Sequence, residues 1–417
     1  MNKRLLITVG VALFLLAGTL LAIRFAQGYR FSMKEKKVSG TGLLVVNSFP
    51  KGASVFINDK LTTATDDTLN LPPGDYQIKI VKDGFISWEK KIKLEKELVS
   101  QTNAHLFPAV PDLKGLTFAG ALNLTPSPDG QKIAFSVASA SARLKNGLWV
   151  LDLTSSPFSS QQARQISQSS GIFDFTKAQL VWSPDSKSLL VKKETDTLLL
   201  EADHLNETQS FKDVTARLPL ILTEWEEEMA LKRERQWQKL PEAMQKIASE
   251  SAKNIYFSPD EEKVIYTATK SVVIPEELIP PLPARNSQPE TRHLEADKIY
   301  VYDLKEDRNF YISDAEAVKD ASEADELEKR MTALQNQYSP LRGQKYQWFP
   351  TSQHLIFTNA EKIVILEYDN TNQATVYAGP FAESFSYPWP DASRLLILTT
   401  LNPDASLPLN LYAVELK

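Results

Sequence analysis

The chain has 417 residues, 42% hydrophobic and 24% charged, which suits two or three globular domains. A net charge of −5 and a pI near 5.6 argue against nucleic acid as a main partner, because phosphate binding wants a basic face. Cysteine is absent, which excludes disulfides, thiolate metal sites and a cysteine nucleophile. The four histidines (His105, His204, His293 and His354) stand far apart, with no His-x-x-x-His pair to hold a metal.

Residues 5–23, LLITVGVALFLLAGTLLAI, carry no charge. As helix they would span roughly 28 Å at ~1.5 Å per residue, close to a bilayer core. Lys3 and Arg4 precede the run; Arg24, Phe25, Tyr29, Arg30 and Phe31 come after it, as an interfacial belt should. The apolar stretch is long for a signal peptide and lacks a small-x-small cleavage site. The expectation is an uncleaved anchor within residues 1–31. A simple count of basic residues, with Arg24, Arg30, Lys34, Lys36 and Lys37 after the run, would place the remainder of the chain in the cytoplasm.

A basic linker, 32–40, leads to a segment of short alternating runs, 41–107. In GLLVVNSFPKGASVFINDK, Pro50 and Gly52 separate two strands. In LPPGDYQIKIVKDGFISWEKKIKL, turns at Pro73-Gly74 and Asp83-Gly84 bound a strand with Tyr76, Ile78 and Ile80 on one face, and Ile86, Trp88, Ile92 and Leu94 continue the sheet. Four or five strands in so short a span predict a small β-sandwich. The segment resembles the PEGA domain family in Pro50-Lys51-Gly52-Ala53, in Leu71-Pro72-Pro73-Gly74-Asp75-Tyr76 and in Gly84-Phe85-Ile86-Ser87-Trp88. It departs at LTTATDDT, where the family's Gly-x-Thr-Pro stretch is missing. The resemblance implies an interaction module of a prokaryotic envelope protein, outside the cytoplasm. That implication outweighs the count of basic residues, since basic side chains split between two short flanks discriminate poorly.

From residue 108 a phrase recurs: PSPDGQKIAFS at Pro126, WSPDSKSLLV at Trp182, FSPDEEKVIYT at Phe257, WFPTSQHLIFT at Trp348 and PWPDASRLLIL at Pro388. Each starts with a proline turn and runs into a strand, and a second strand comes later (GLWVLDL, TLLLEAD, KIYVYDL, KIVILEYD, NLYAVEL). Units of about 40 residues built from short strands predict a β-propeller of five or six blades over 108–417, a sixth hiding near 205–222 or being completed by 108–125. The form resembles TolB-like and WD-repeat-like blades, whose turn reads Ser-Pro-Asp-Gly; only Ser127-Pro128-Asp129-Gly130 has the full set. The fold class is mainly β. The turn itself is expected to be type I, with no need of glycine at its end, so that Ser186 or Glu261 can stand where Gly130 stands.

Three insertions interrupt the units. Residues 223–250 are helical by pattern, with Thr223 and Glu226 as a capping box and a stripe of Trp225, Met229, Trp237, Leu240, Met244 and Ile247; Pro241 kinks the helix or starts a second one. Residues 313–338 form another helix, capped by Ser313 and Glu316, with Val318, Ala321, Ala324, Leu327, Met331, Leu334 and Tyr338 as its stripe. Both stripes are expected to pack on the propeller or on each other, with a partner-binding helical pair as the sharper reading. Residues 274–297 carry five prolines between two strands of one blade and must project, as an extended loop or as a polyproline-type ligand strip.

No phosphate loop, Gly-x-Ser-x-Gly elbow or calcium loop is present. The acids Glu226–Glu228 and Glu323–Glu328 fall on solvent faces of helices. Asp129, Asp185, Asp260 and Asp391 recur in separate blades, spread around a ring and away from any common ion. No catalytic, cofactor-binding or metal-ligating residue is assigned, and no cofactor. The expected function is a non-catalytic, membrane-anchored scaffold or binding protein of the cell envelope, meeting a protein or cell-wall glycan partner from outside a prokaryotic cytoplasmic membrane. The alternative is an envelope glycan hydrolase working through carboxylates in the propeller's axial pocket.

Overall fold

The computed structural model describes residues 3–26, 29–32, 37–154, 163–169, 173–282, 285–315, 325–338, 345–382, 385–402 and 408–417. The chain divides into two compact units, 1–109 with 279–289 and 110–278 with 290–417.

The first unit begins with helix α1 (Lys3–Ala26). Its described side chains, 7–20 and 22–23, are all exposed, Leu13, Phe14, Leu15 and Leu16 among them. Among the described residues no helix is long and apolar enough to cross a membrane. The continuous run of α1 with described side chains, 7–20, is only about 21 Å long. The crossing expected over 5–23 is therefore not carried by the described residues; the side chains of Leu5, Leu6 and Leu21 lie outside them. Tyr29–Ser32, from the end of the expected anchor segment into the linker, pairs antiparallel with Lys37–Gly40 of the stretch read as a linker.

Next come two sheets. One orders Asp67–Leu71, Gly42–Phe49 and Val99–His105; the other orders Lys60–Ala64, Ser54–Ile57, Gly74–Val81 and Trp88–Leu94. The alternation in Gly42–Phe49 turns Leu44 and Val46 inward, and Ile78, Ile80, Trp88, Ile92 and Leu94 meet them from the other sheet as one core. Gly52 and Gly84 sit at left-handed φ of 74° and 81°, which is why these two turns take glycine.

The second unit holds five four-stranded antiparallel sheets, each ordered as its strands occur in the chain except the last. The first sheet is Leu122–Pro126, Lys132–Val137, Gly147–Asp152, Arg164–Gln168. The second is Gln179–Trp182, Ser188–Lys193, Asp196–Glu201, Lys212–Asp213. The third is Ala252–Phe257, Lys263–Ala268, Lys298–Asp303, Arg308–Asp314. The fourth is Tyr346–Trp348, His354–Thr358, Lys362–Glu367, Ala374–Ala378. The fifth takes Ser386–Pro388, Arg394–Thr399 and Asn410–Glu415, and its outer strand is Leu113–Gly115, from nearly 300 residues earlier, with Leu113 opposite Val414 and Lys114 opposite Ala413. Residues 205–222, where a sixth unit could have hidden, give the fourth strand of the second sheet and the start of a helix.

The second strands are near-continuous apolar runs, and they are buried on both faces; every residue of Lys263–Ala268 is buried. A strand of that kind needs a neighbour on each side of its sheet. The first sheet packs on the second through Ala134, Val150, Trp182 and Leu189, and on the fifth through Phe135, Leu151, Leu396 and Leu411. The third packs on the fourth through Val301, Phe310, Leu355 and Leu366. Gln347 on the fourth donates to Ser386 O on the fifth at 2.6 Å.

Helices cover the remaining faces. Helix α2 (Leu218–Trp237) and helix α4 (Glu326–Tyr338) pack against Val181 and Leu190 of the second sheet. Helix α3 (Glu242–Ser251) packs through Met244 and Ile247 against Val264 and Tyr266 of the third. The sequence-based boundaries need correcting. Helix α2 starts at Leu218, where Pro219 fits the first turn; Thr223 is internal and bonds Pro219 O at 3.0 Å, so it caps nothing. Pro241 does start a second helix. Ser313 lies in a strand, and α4 is capped by Asp325, which accepts from Glu328 N at 2.7 Å. The strand continued past Ser313 because Phe310 and Ile312 are core residues of the third sheet. Glu316, Val318, Ala321 and Ala324, and the side chain of Tyr338, lie outside the described residues.

Candidate functional site

The recurring phrase forms one turn five times over. In each, the residue before the proline donates to the carbonyl five residues on and accepts from the N–H three residues on: Ser183 N to Ser188 O at 2.9 Å and Ser186 N to Ser183 O at 2.9 Å, with the same pairs from Ser127, Ser258, Phe349 and Trp389. The residue after the type I turn is left-handed every time, at Gly130 (71°), Ser186 (59°), Glu261 (58°), Ser352 (58°) and Ala392 (58°). The expectation that this position is indifferent to glycine is thus corrected. It is a glycine-type position at which four side chains accept about 1–2 kcal/mol of strain.

Three of those four do something with the side chain. Ser186 Oγ accepts from Asp129 N in the first sheet, and Ser352 Oγ accepts from Asp260 N in the third, both at 3.1 Å. Glu261 binds Lys239, just beyond α2, and accepts from Gln236 Nε2 at 2.9 Å. Two tryptophans repeat the link from sheet to sheet: Trp182 Nε1 donates to Thr125 O at 2.8 Å and Trp348 Nε1 to Tyr256 O at 3.0 Å.

The recurring carboxylates are absorbed by the turns. Asp129, Asp185 and Asp260 each accept from the serine two residues before, at 2.5–2.6 Å, and Asp391 accepts from Ser393 N at 2.9 Å. Burial alone would raise the Asp185 carboxyl, but the Ser183 hydroxyl and Lys187 N–H hold it below the ordinary value; Ser393 does the same for Asp391 against a similar burial cost. A carboxyl used as a general acid needs the opposite shift. Among the described residues no group of three or more His, Asp or Glu could hold a metal ion.

The helical insertions are tied in by polar seams that sequence reading missed. Lys192, 7% exposed, reaches Glu328 at 2.7 Å and Asp325 at 3.3 Å on α4. Burial would lower its pKa, and the two carboxylates more than reverse that. Arg330 forks onto Glu226 of α2 at 2.7 and 2.9 Å. The acids read as solvent-facing thus include three, Glu226, Asp325 and Glu328, that lock α4 in place. Met331 and Leu334 are buried beside Leu222 and Met229, so the stripes pack on each other and on the second sheet.

The proline-rich insertion is held at its roots by a buried carboxylate. Its roots in the second unit converge on Asp307, 3% exposed, which accepts from Tyr302 Oη at 2.8 Å and Leu278 N at 2.9 Å and pairs with Arg292 at 3.2 Å. Burial and the carboxylate push the Tyr302 hydroxyl far above its ordinary value, so it stays a donor. Beyond the roots, residues 279–289 belong to the first unit. There Gln288 Nε2 donates to Lys91 O at 2.7 Å, Ser287 Oγ donates to the same carbonyl at 3.2 Å, and Lys93 N donates to Ser287 Oγ at 3.4 Å. The middle of the strip thus leaves the unit that holds its roots and lies against an outer strand of the first unit. No spacing in the sequence signals this, because its partners are main-chain atoms.

Residues 41–109 match the PEGA domain. No curated protein matches the chain. A TolB protein from Agrobacterium tumefaciens is 10% identical, with 70% of each chain covered and a TM-score of 0.21. TolB from Acinetobacter baumannii is 11% identical, covering 82% of this chain and 60% of that one, with a TM-score of 0.22. A chain of a mitotic checkpoint complex is 10% identical, covering 74% and 93%, with a TM-score of 0.30. Superpositions this loose leave the chain's own strand pairing to carry the fold.

Proposed function

We propose that the protein is a binding or scaffold component of a prokaryotic cell envelope, held at the cytoplasmic membrane by α1, with its PEGA domain and its sheet unit outside the cytoplasm. The PEGA match over 41–109 carries the reading. The uncharged run 5–23 within a 24-residue helix supports the anchor. The sheet unit is read as a five-bladed propeller closed by Leu113–Gly115 on the last blade, with α2, α3 and α4 filling the place between the second and third. Such a ring offers a broad rigid surface. Its recurring carboxylates are committed to turns, which favours binding over hydrolysis.

Two experiments test this together. Protease added to intact spheroplasts should digest the chain beyond about residue 40, while full protection until the membrane is broken would overturn the orientation. The purified full chain, incubated with cell-wall glycan, should release no soluble fragments. Fragment release abolished by Asp-to-Asn changes in the sheet unit would establish the hydrolase instead.

A further inference from the structure

We infer that the outward edge of the Trp88–Leu94 strand is a docking edge for an extended chain, and that residues 279–289 are its resident occupant, keeping a second copy of the protein from pairing there. The inference does not depend on where the protein sits in the cell. The strand is outermost in its sheet, hydrogen-bonded on one side to Gly74–Val81. Alternate residues of an antiparallel strand aim both main-chain groups away from the partner. Lys91 O and Lys93 N are such groups, since each meets the strap: Ser287 Oγ bridges them at 3.2 and 3.4 Å, and Gln288 adds a 2.7 Å bond to Lys91 O. One residue bridging the carbonyl of position i−1 and the N–H of position i+1 is the pattern a neighbouring parallel strand makes. The serine hydroxyl reproduces it without a strand.

The occupant's composition suits capping better than extension. Pro280, Pro281 and Pro289 have no N–H to continue a ladder, so the strap covers the edge and ends the sheet. Its roots are fixed by Asp307 through Leu278 N and Arg292. The uncovered edge would suit a second copy. Laid antiparallel on itself about Lys91, the strand sets Glu89 opposite Lys93 twice and Lys91 opposite Lys91 once. That is two favourable cross-strand pairs against one unfavourable, in a self-complementary two-fold arrangement.

The test uses the full chain in detergent. A variant with 279–289 replaced by Gly/Ser of equal length should sediment at twice the protein mass of the parent. A synthetic peptide of residues 279–289 should return it to the parent's mass, and so should Glu89→Lys in the same background, by setting like charges opposite. The milder double change Ser287→Ala with Gln288→Ala leaves the roots intact and should speed amide exchange at Lys93 by about tenfold, the scale of losing a hydrogen bond or two at an edge. A strap-replaced chain that keeps the parent's mass, or a double variant whose Lys93 exchange is unchanged, would overturn the inference.

Discussion

Replacing Asp307 should be among the most damaging single changes outside the apolar cores. Its carboxylate is 3% exposed and serves three donors: the Tyr302 hydroxyl, itself fully buried, the Leu278 N–H and the Arg292 guanidinium, whose side chain is 12% exposed. Asp307→Ala leaves a nearly buried cation with Glu290 at 3.3 Å as its remaining carboxylate. Breaking such a pair costs about 3–5 kcal/mol. The residue is also left-handed, at φ 52°, a conformation that aspartate tolerates and that costs alanine about 1 kcal/mol. We expect a loss of about 4–6 kcal/mol, read as a shift of the urea midpoint. Asp307→Asn keeps an acceptor and tolerates the same φ, so it should lose about 1–3 kcal/mol. Limited proteolysis should show the alanine variant cut first within 274–297. A midpoint shift below about 0.5 kcal/mol for alanine, or an asparagine variant as unstable as the alanine one, would refute the view that Asp307 organises the insertion.

The same geometry sets three more outcomes. Trp182→Phe removes the indole donor to the buried Thr125 carbonyl and ring volume with it, so it should cost about 2–4 kcal/mol by urea denaturation, and Trp348→Phe, at a half-buried site, clearly less. Asp325 is held below its ordinary value first by the Glu328 N–H and then by Lys192. A depressed folded value means the stabilisation is complete above the unfolded value near about 4 and fades as pH falls through the lower folded one. Protection of the 326–338 amides, taken relative to the free-peptide rate at each pH, should therefore fall on acidification below about pH 4 and hold between 5 and 8. Ser186→Ala removes the acceptor of Asp129 N–H while keeping the left-handed strain, and should cost about 1 kcal/mol; Ser186→Gly, which relieves the strain, should be closer to neutral by the same assay.

The repeats were legible because a strand buried on both faces leaves a continuous apolar run, as in KIAFSV and RLLILT, and a proline turn before each run marks the unit. The PEGA-type segment was legible for a related reason: Pro50, Gly52 and Gly84 are fixed by turn geometry and survive as letters. What the letters hid was pairing over distance. Nothing in LKG at 113–115 says that it joins a strand at 410–415, since three residues have no periodicity. Helix starts were misplaced at Thr223 and Ser313 because a capping box is a local pattern, while Leu218, Phe310 and Ile312 are held by the cores they enter. Glu226, Asp325 and Glu328 read as solvated charge because their partners, Arg330 and Lys192, are more than 100 residues away. The strap on Lys91 and Lys93 left no trace, being a bond to backbone.

The pairing of the sheet unit's two ends, on which the proposed ring rests, can be tested in one measurement. The chain has no cysteine, so Lys114→Cys with Ala413→Cys installs a single pair at directly opposed positions. Opposed antiparallel residues lie about 4.5–5.5 Å apart at Cα, within disulfide range. Mild oxidation should join the two ends in nearly every molecule, seen as one cross-linked peptide by mass spectrometry. Lys114→Cys with Tyr412→Cys, on opposite faces, should stay reduced. A pair at 114 and 413 that remains as free thiols, or one no faster to form than the 114 and 412 control, would contradict the pairing of Leu113–Gly115 with Asn410–Glu415 on which the propeller reading rests.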